Sequence, residues 1–496
     1  MTRGSMDNDL DTRFSRPKRG WSRRSFLGGS VIVAALIAST GLAACSTGQA
    51  PMAPTTASTS ASTPEATPTM AGAPAQPAAS PAAPSTDNKP QIRFFGSETQ
   101  AAMKAITVQV QKFSAQTGIP VEYSIATGNE FNAKLQTMMA GGTPPDLHYM
   151  DFRNFARFAF DGQLLDLLPL ANRDKYDLTD FHPNYLVQCY WEKKLYANGR
   201  DFGWRQIFYN VDLFKKSGVP LPPDNWDAPG WTFDDFRAAA EKLTQRDTSG
   251  RTTVWGFANS TDYFGWVYSN GGRFIDANNE HEMVTQPPAI DALEFLHDLL
   301  NKWKVAQTPA ASQEIDSTSA FMTGRAAMIV NPTATGVITY RAIKQFSWDT
   351  APLPKGPDLS GPRRDHGGGS GWSLAARGPH HDEAWELSKF ISGKETQTEL
   401  AKAGFAPSRI SVMESEAWID PSQPPKSKQV MTKGGDHVVQ NPQILVWGEF
   451  QNTLDKLLDD VWLGKHTAQE IAPQLKSSMD ALMAKNAQLL SGKKGN

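Results

Sequence analysis

The order of elements between residues 91 and 151 constrains this chain more than any other feature. Gln91-Ile92-Arg93-Phe94-Phe95 is a short β-rich run, after which Met103, Ile106, Val110 and Phe113 recur on one face of a helix. A second β-rich run, 121–125, leads into a helix marked by Phe131, Leu135 and Met138. Gly141, Gly142, Pro144 and Pro145 end that helix ahead of a third run at 146–150. Strand, helix, strand, helix, strand requires crossovers of one hand and a parallel sheet covered by helices, so the fold class is α/β. In such sheets ligands sit beyond the carboxyl ends of the strands. Ser97 and Glu98 follow the first strand and Asp151 the third, where their polar groups can reach a ligand.

A second organised stretch covers residues 206–243. The run 206–209 reads as a strand, and Asn210-Val211-Asp212 offers cap-type residues to a short helix that Gly218 can end. Pro220, Pro222 and Pro223 forbid regular structure beyond it. Helix resumes at Thr232, which forms a capping box with Asp235, and Phe233, Phe236, Ala240 and Leu243 share a face. Further on, 254–258 reads as a strand, 262–270 as an aromatic-rich segment and 290–303 as an amphipathic helix. The remaining helices are placed at 381–392, around Trp447 to Val461, and from Thr467 with Glu470. Between 161 and 203 only 164–168 reads as core. The glycine run 367–371 reads as a flexible turn leading into a strand.

The run FYNVDLFKKSGVPLPPDNW, with Thr232 and its helix after it, resembles the family 1 extracellular solute-binding proteins, the sugar-binding subunits of ABC importers of the maltose-binding type. The same resemblance recurs in AGGTPPDLHYMD, in Gly271-Gly272 before the helix at 290–303, in FMTGRAAM and in WDTAPLP, so it spans roughly 91–490. Asn225 stands where the family usually has Thr, and residues 227–230 are an insertion. The resemblance implies a type II-like fold of two α/β lobes with mostly parallel sheets and a hinged cleft. The expected crossings lie near 202–204, 371–373 and 407–409. The first lobe is then 90–203 with 372–407, and the second 204–371 with 408–496. It also implies a mono- or oligosaccharide held between the lobes and handed to the transmembrane subunits of a permease. A sugar offers apolar C–H faces and a rim of hydroxyls, which aromatic planes and polar groups cover. On that basis Trp204, Trp266, Trp372 and Trp447 are expected at the cleft, joined by Asn331 and by Arg409 of the GFAPSR segment.

Residues 1–44 have the order of an export signal: basic residues, an apolar run from Phe26 through Ile37, then Leu42-Ala43-Ala44-Cys45. Ser22-Arg23-Arg24-Ser25-Phe26-Leu27 resembles the twin-arginine motif, against an ordinary signal in which Arg23 and Arg24 adjoin by chance. The stretch ending at Cys45 matches a lipobox. An uncut spanning helix is the alternative, but a dozen apolar residues fall short of the roughly 20 that spanning needs. Residues 45–89 form a tether, and 51–85 within it is almost entirely Pro, Ala, Ser and Thr. Such a segment buries too little apolar area to offset its ordering entropy and is expected to be disordered. Without residues 1–44 the chain has 42 basic against 48 acidic side chains, a net charge of −6. That balance disfavours nucleic acid and anionic lipid as partners. With Cys45 lipidated, Cys189 has no disulfide partner and reads as a small buried apolar residue.

Enzyme signatures are absent. No helix carries the paired His and Glu of a zinc protease, and His380-His381 opens a solvated helix. The glycine run lacks the spacing of a nucleophile elbow, a phosphate loop or a dinucleotide fingerprint. The chain is therefore expected to be a monomeric, lipid-anchored, extracytoplasmic binding protein, with no catalytic residue, cofactor or metal. Two alternatives remain at this level: a ligand sensor of the same fold, and a glycan hydrolase, whose carboxylate pair only spatial separation would reveal.

Overall fold

The computed structural model describes residues 89–494. The export signal with Arg23 and Arg24, the lipobox with Cys45 and the tether lie outside the described residues.

The strands, in chain order, are β1 (Ile92–Ser97), β2 (Val121–Ala126), β3 (Leu147–Asp151), β4 (Tyr190–Trp191), β5 (Lys194–Leu195) and β6 (Asn198–Asn210). They continue with β7 (Gln245–Arg246), β8 (Thr252–Ala258), β9 (Ala326–Pro332), β10 (Trp348–Ala351), β11 (Asp365–Leu374) and β12 (Val438–Val439). One curled sheet runs β2-β1-β3-β11-β6-β9-β8-β7, with β10 also on β6 and β12 also on β11. β1, β2 and β3 are mutually parallel in the first lobe, as are β8 and β9 in the second. β6 and β11 are antiparallel to their principal neighbours, which makes the sheet mixed rather than mostly parallel.

Local physics explains most of the elements. Asn210 caps the helix Val211–Lys216 by accepting from the Leu213 amide at 2.9 Å. Thr232 and Asp235 form both halves of the capping box of the helix Phe233–Leu243. That helix buries Phe233, Phe236, Ala240 and Leu243, each large side chain contributing about 1.5–3 kcal/mol. The Phe236 ring meets Phe257 edge-on at 5.0 Å, so Phe236→Ala would leave a cavity between the helix and β8.

Two departures from the sequence reading matter for function. β6 is thirteen residues long, beginning in a segment of Asn, Gly, Arg and Asp that reads as irregular. Its first half pairs with β11 and its second half with β9 and β10, so backbone pairing fixes the strand where side-chain propensity does not. The glycine run likewise lies inside β11 and is not a turn. At Gly367, Gly369 and Gly371 an added Cβ would come within 2.7 Å of another strand's backbone, so close packing dictates those glycines.

One hydrophobic core fills the first lobe and continues through Phe208, Phe321, Tyr340 and Trp348 over one face of the second lobe's strands. A second core, with Trp266, Leu293, Trp447 and Leu458, fills the other face. The crossing expected at 407–409 is corrected. His182 N donates to Ser408 O, and Ile410 N and Ser411 N donate to Asp180, which keeps this segment on the first lobe. The chain crosses instead along a strap, 415–437. In it the Lys426 and Ser427 amides donate to Asp349 of β10, while Asn184 of the first lobe donates to Gly435 O. Cys189 is buried and free. Its thiol lies 3.9 Å from Tyr185 O, and burial pushes its pKa up to about 12.

Candidate functional site: a cleft floored by two crossing strands

A cleft of about 410 Å³ opens where β6 and β11 pass between the lobes. Ser97, Thr99, Tyr149, Asp151 and Arg153 line it from the first lobe, and Phe264, Pro332, Ala334, Thr335 and Gln451 from the second. Strand alternation builds the floor. Asp201, Gly203 and Arg205 of β6 face the cleft, while Phe202, Trp204 and Gln206 are buried on the opposite side. His366, Gly368 and Ser370 of β11 complete the floor, with Gly368 directly opposite Gly203.

Three arginines bring charge to this surface. Arg200 is only 4% exposed, paired with Glu98 and with Asp201 at 2.6 Å. Its guanidinium lies over the rings of Tyr149, Trp372 and Phe405 at 5.3–5.4 Å. Burial alone would discharge it, but the two carboxylates outweigh burial and hold it protonated. Glu98 is pulled the other way, its carboxyl raised by burial against the opposing pull of Arg200. Arg205 donates to Asp262 at 2.6 Å and to Nδ1 of His366, whose Nε2 lies 2.8 Å from Asn441 Oδ1. Burial, then the Arg205 charge, drives the His366 pKa well below its ordinary value. The ring is therefore neutral, accepting at Nδ1 and donating from Nε2. Arg153 grips both carboxylate oxygens of Asp151 at 3.0–3.1 Å through Nε. These paired charges present fixed donors and acceptors suited to a ligand rich in hydroxyls.

The residues singled out by sequence divide sharply. Ser97 and Asp151 line the cleft, and Trp204 lies on the strand that floors it, but its ring is turned to the opposite, buried face, where Nε1 donates to Gln206 Oε1 at 3.2 Å. Glu98 is spent on Arg200. The other three tryptophans sit in cores, which corrects their expected place at the cleft. Trp266 is packed among Phe233, Phe236, Phe257 and Phe295, and Trp447 stacks on Phe450 at 5.5 Å. Trp372 lies beyond a register shift between Ser370 and Gly371 and meets Phe94 edge-on in the first lobe. Asn331 is engaged with Tyr340 at 2.5 Å. Arg409 lies 4.2 Å over the Phe181 ring and donates to Asp180, Tyr176 and the Ser392 carbonyl, away from the cleft lining. Sequence reasoning passed over Arg153, Arg200, Asp201, Arg205, Asp262, His366 and Asn441. The alternation of Asp201, Gly203 and Arg205 was the available signal.

Comparison with known proteins agrees with this architecture. An ABC substrate-binding protein of Listeria monocytogenes, solved in complex with cycloalternan, superposes with a TM-score of 0.70 at 22% identity, covering 80% of this chain and 100% of that one. The arabinooligosaccharide-binding protein of Bacillus subtilis is 25% identical over 56% of this chain and 64% of its own length. The erythritol/L-threitol-binding protein of Mycolicibacterium smegmatis is 23% identical over 62% of this chain and 68% of its own. Residues 96–398 match the bacterial extracellular solute-binding proteins as a family. With that match over more than half its length, and a cleft of the expected architecture between two lobes, the chain belongs to the bacterial extracellular solute-binding protein family.

Proposed function

We propose that this protein is the extracytoplasmic binding subunit of an ABC importer, capturing a sugar or short oligosaccharide between its lobes and delivering it unchanged to a membrane permease. The observation that carries the reading is a cleft lined from both lobes over a floor of strands that cross between them. A ligand touching both walls gains its full set of contacts only when they approach, so binding shifts the population toward a closed form. The names of the relatives support saccharides or polyols as the ligand class. Ser97, Asp151, Asp201 and Arg205 are proposed to bond the hydroxyl rim. Among the described residues no helix is long and apolar enough to cross a membrane. The lipobox cysteine and the Pro/Ala/Ser/Thr tract support attachment through a lipid on Cys45, with the binding body held off the membrane by the tether.

Small-angle scattering across a carbohydrate panel tests the capture step. At least one saccharide is expected to contract the particle, whereas curves identical with and without every carbohydrate, or a sugar recovered chemically altered, overturn the reading. Cys45→Ser is expected to move the protein from the membrane fraction to the medium. An unchanged distribution sinks the anchor.

A further inference from the structure

Gly203 has no steric reason to be glycine, and Gly368 has only a close side-chain neighbour. Neither takes a positive φ. A Cβ at Gly203 would meet nothing within 4 Å, and one at Gly368 only the Gln188 Oε1 and Asn441 Nδ2 side-chain atoms at 3.3 and 3.5 Å. Glycine inside a strand costs about 0.5–1 kcal/mol relative to alanine, and here no neighbour offsets it. The two glycines stand opposite one another at the centre of the cleft floor. A bare strand interior of this kind admits a molecule close to the backbone.

Two further observations say what the molecule is. Of the rings that line the cleft, Phe264, Phe405 and His366 are buried, and Tyr149, which is half-buried, carries the Arg200 guanidinium 5.3 Å over its ring, so little open aromatic plane is left for stacking. The volume of about 410 Å³ is toward the small end of ligand pockets.

We infer that the ligand is a compact polyhydroxylated molecule, an acyclic polyol or one to two sugar rings, which lays a C–H face on the Gly203–Gly368 pair. This rests on the sugar-binding reading above and specifies how the same cleft selects its guest. Length beyond two rings adds no contact with the floor.

The test is calorimetric titration of the purified protein with four- to six-carbon alditols, hexoses and gluco-oligosaccharides of one to six rings. It is repeated on Gly203→Ala and Gly368→Ala, with melting temperature as the control for folding. The best ligand is expected among the alditols and the one- and two-ring sugars. Each alanine, by holding it off the floor, is expected to weaken binding about tenfold or more at an unchanged melting temperature. Binding to Gly203→Ala and Gly368→Ala within twofold of the parent overturns the glycine floor and leaves the sugar reading standing. Affinity that climbs about tenfold with each ring beyond two overturns the compact ligand. Failure of the parent protein to bind any carbohydrate overturns both readings at once. Should Gly203→Ala fail to fold, Gly368→Ala alone decides.

Discussion

Arg200 and Arg205 lie five residues apart on β6, and the contrast between them separates the two walls of the cleft. Arg200 has two carboxylate partners, three aromatic rings around its guanidinium and almost no exposure. Arg205 has one carboxylate, one ring and a neutral imidazole, and keeps 18% of its side chain open to solvent. The first arginine has its partners already in place, so it serves to hold the wall rigid. The second retains free donors at the surface, so it serves to meet whatever enters. A charged residue near a cleft is thus not automatically a ligand contact, and what distinguishes the two roles is how completely the protein itself satisfies the charge.

Arg200→Ala draws the contrast most strongly. It strands Glu98 and Asp201, and a loss of about 3–5 kcal/mol is expected in denaturant unfolding, against a smaller loss of about 1–3 kcal/mol for Arg205→Ala, which leaves the mostly buried Asp262 unpaired. Equal losses would erase the distinction. Next in size is pH. Burial lowers the pKa of His148 to about 4 and that of His366 well below its ordinary value. A His held neutral when folded contributes stability that is intact above its unfolded pKa of about 6.5 and is lost as pH falls below it. Acidification from pH 8 to pH 5 is therefore expected to cost about 2 kcal/mol for each such group. Replacing His148 with Asn should flatten the first-lobe share and His366→Gln the share of the floor; an unchanged slope in both would show that neither ring is buried neutral.

Smaller, and opposite in kind, is the effect on binding. Arg205→Ala is expected to weaken the best saccharide about tenfold, as for one lost charged hydrogen bond. An unaltered affinity would remove Arg205 from the contact surface. The smallest effect belongs to the half-exposed Asp151–Arg153 pair, where Arg153→Ala should change stability by less than about 1 kcal/mol, and less still in high salt.

Much of the fold was legible before any coordinates. Propensity and periodicity marked β1 to β3, and cap chemistry marked the helices after Asn210 and Thr232, because these signals are local. What was not legible depended on partners distant in sequence. The polar half of β6 is a strand only because β11 lies beside it. The register shift at Ser370 and Gly371 sends Trp372 into the first-lobe core. Nothing in the residue itself distinguishes a tryptophan that faces a ligand from one that fills a core, and Trp266 and Trp447 were misplaced for that reason. The strap between residues 415 and 437 escaped notice because it is largely irregular and proline-bearing, and its path is set by Asp349 and Asn184.

The solitary thiol of Cys189 bears on where the protein can be made. Sealed beneath Tyr185 and too weakly acidic to react, it gives the described body no cross-link to form or to reduce. Such a body reaches its final shape equally well in a reducing interior and in an oxidising exterior. It needs no disulfide-forming helper after crossing the membrane, and dithiothreitol should leave its melting curve where it was.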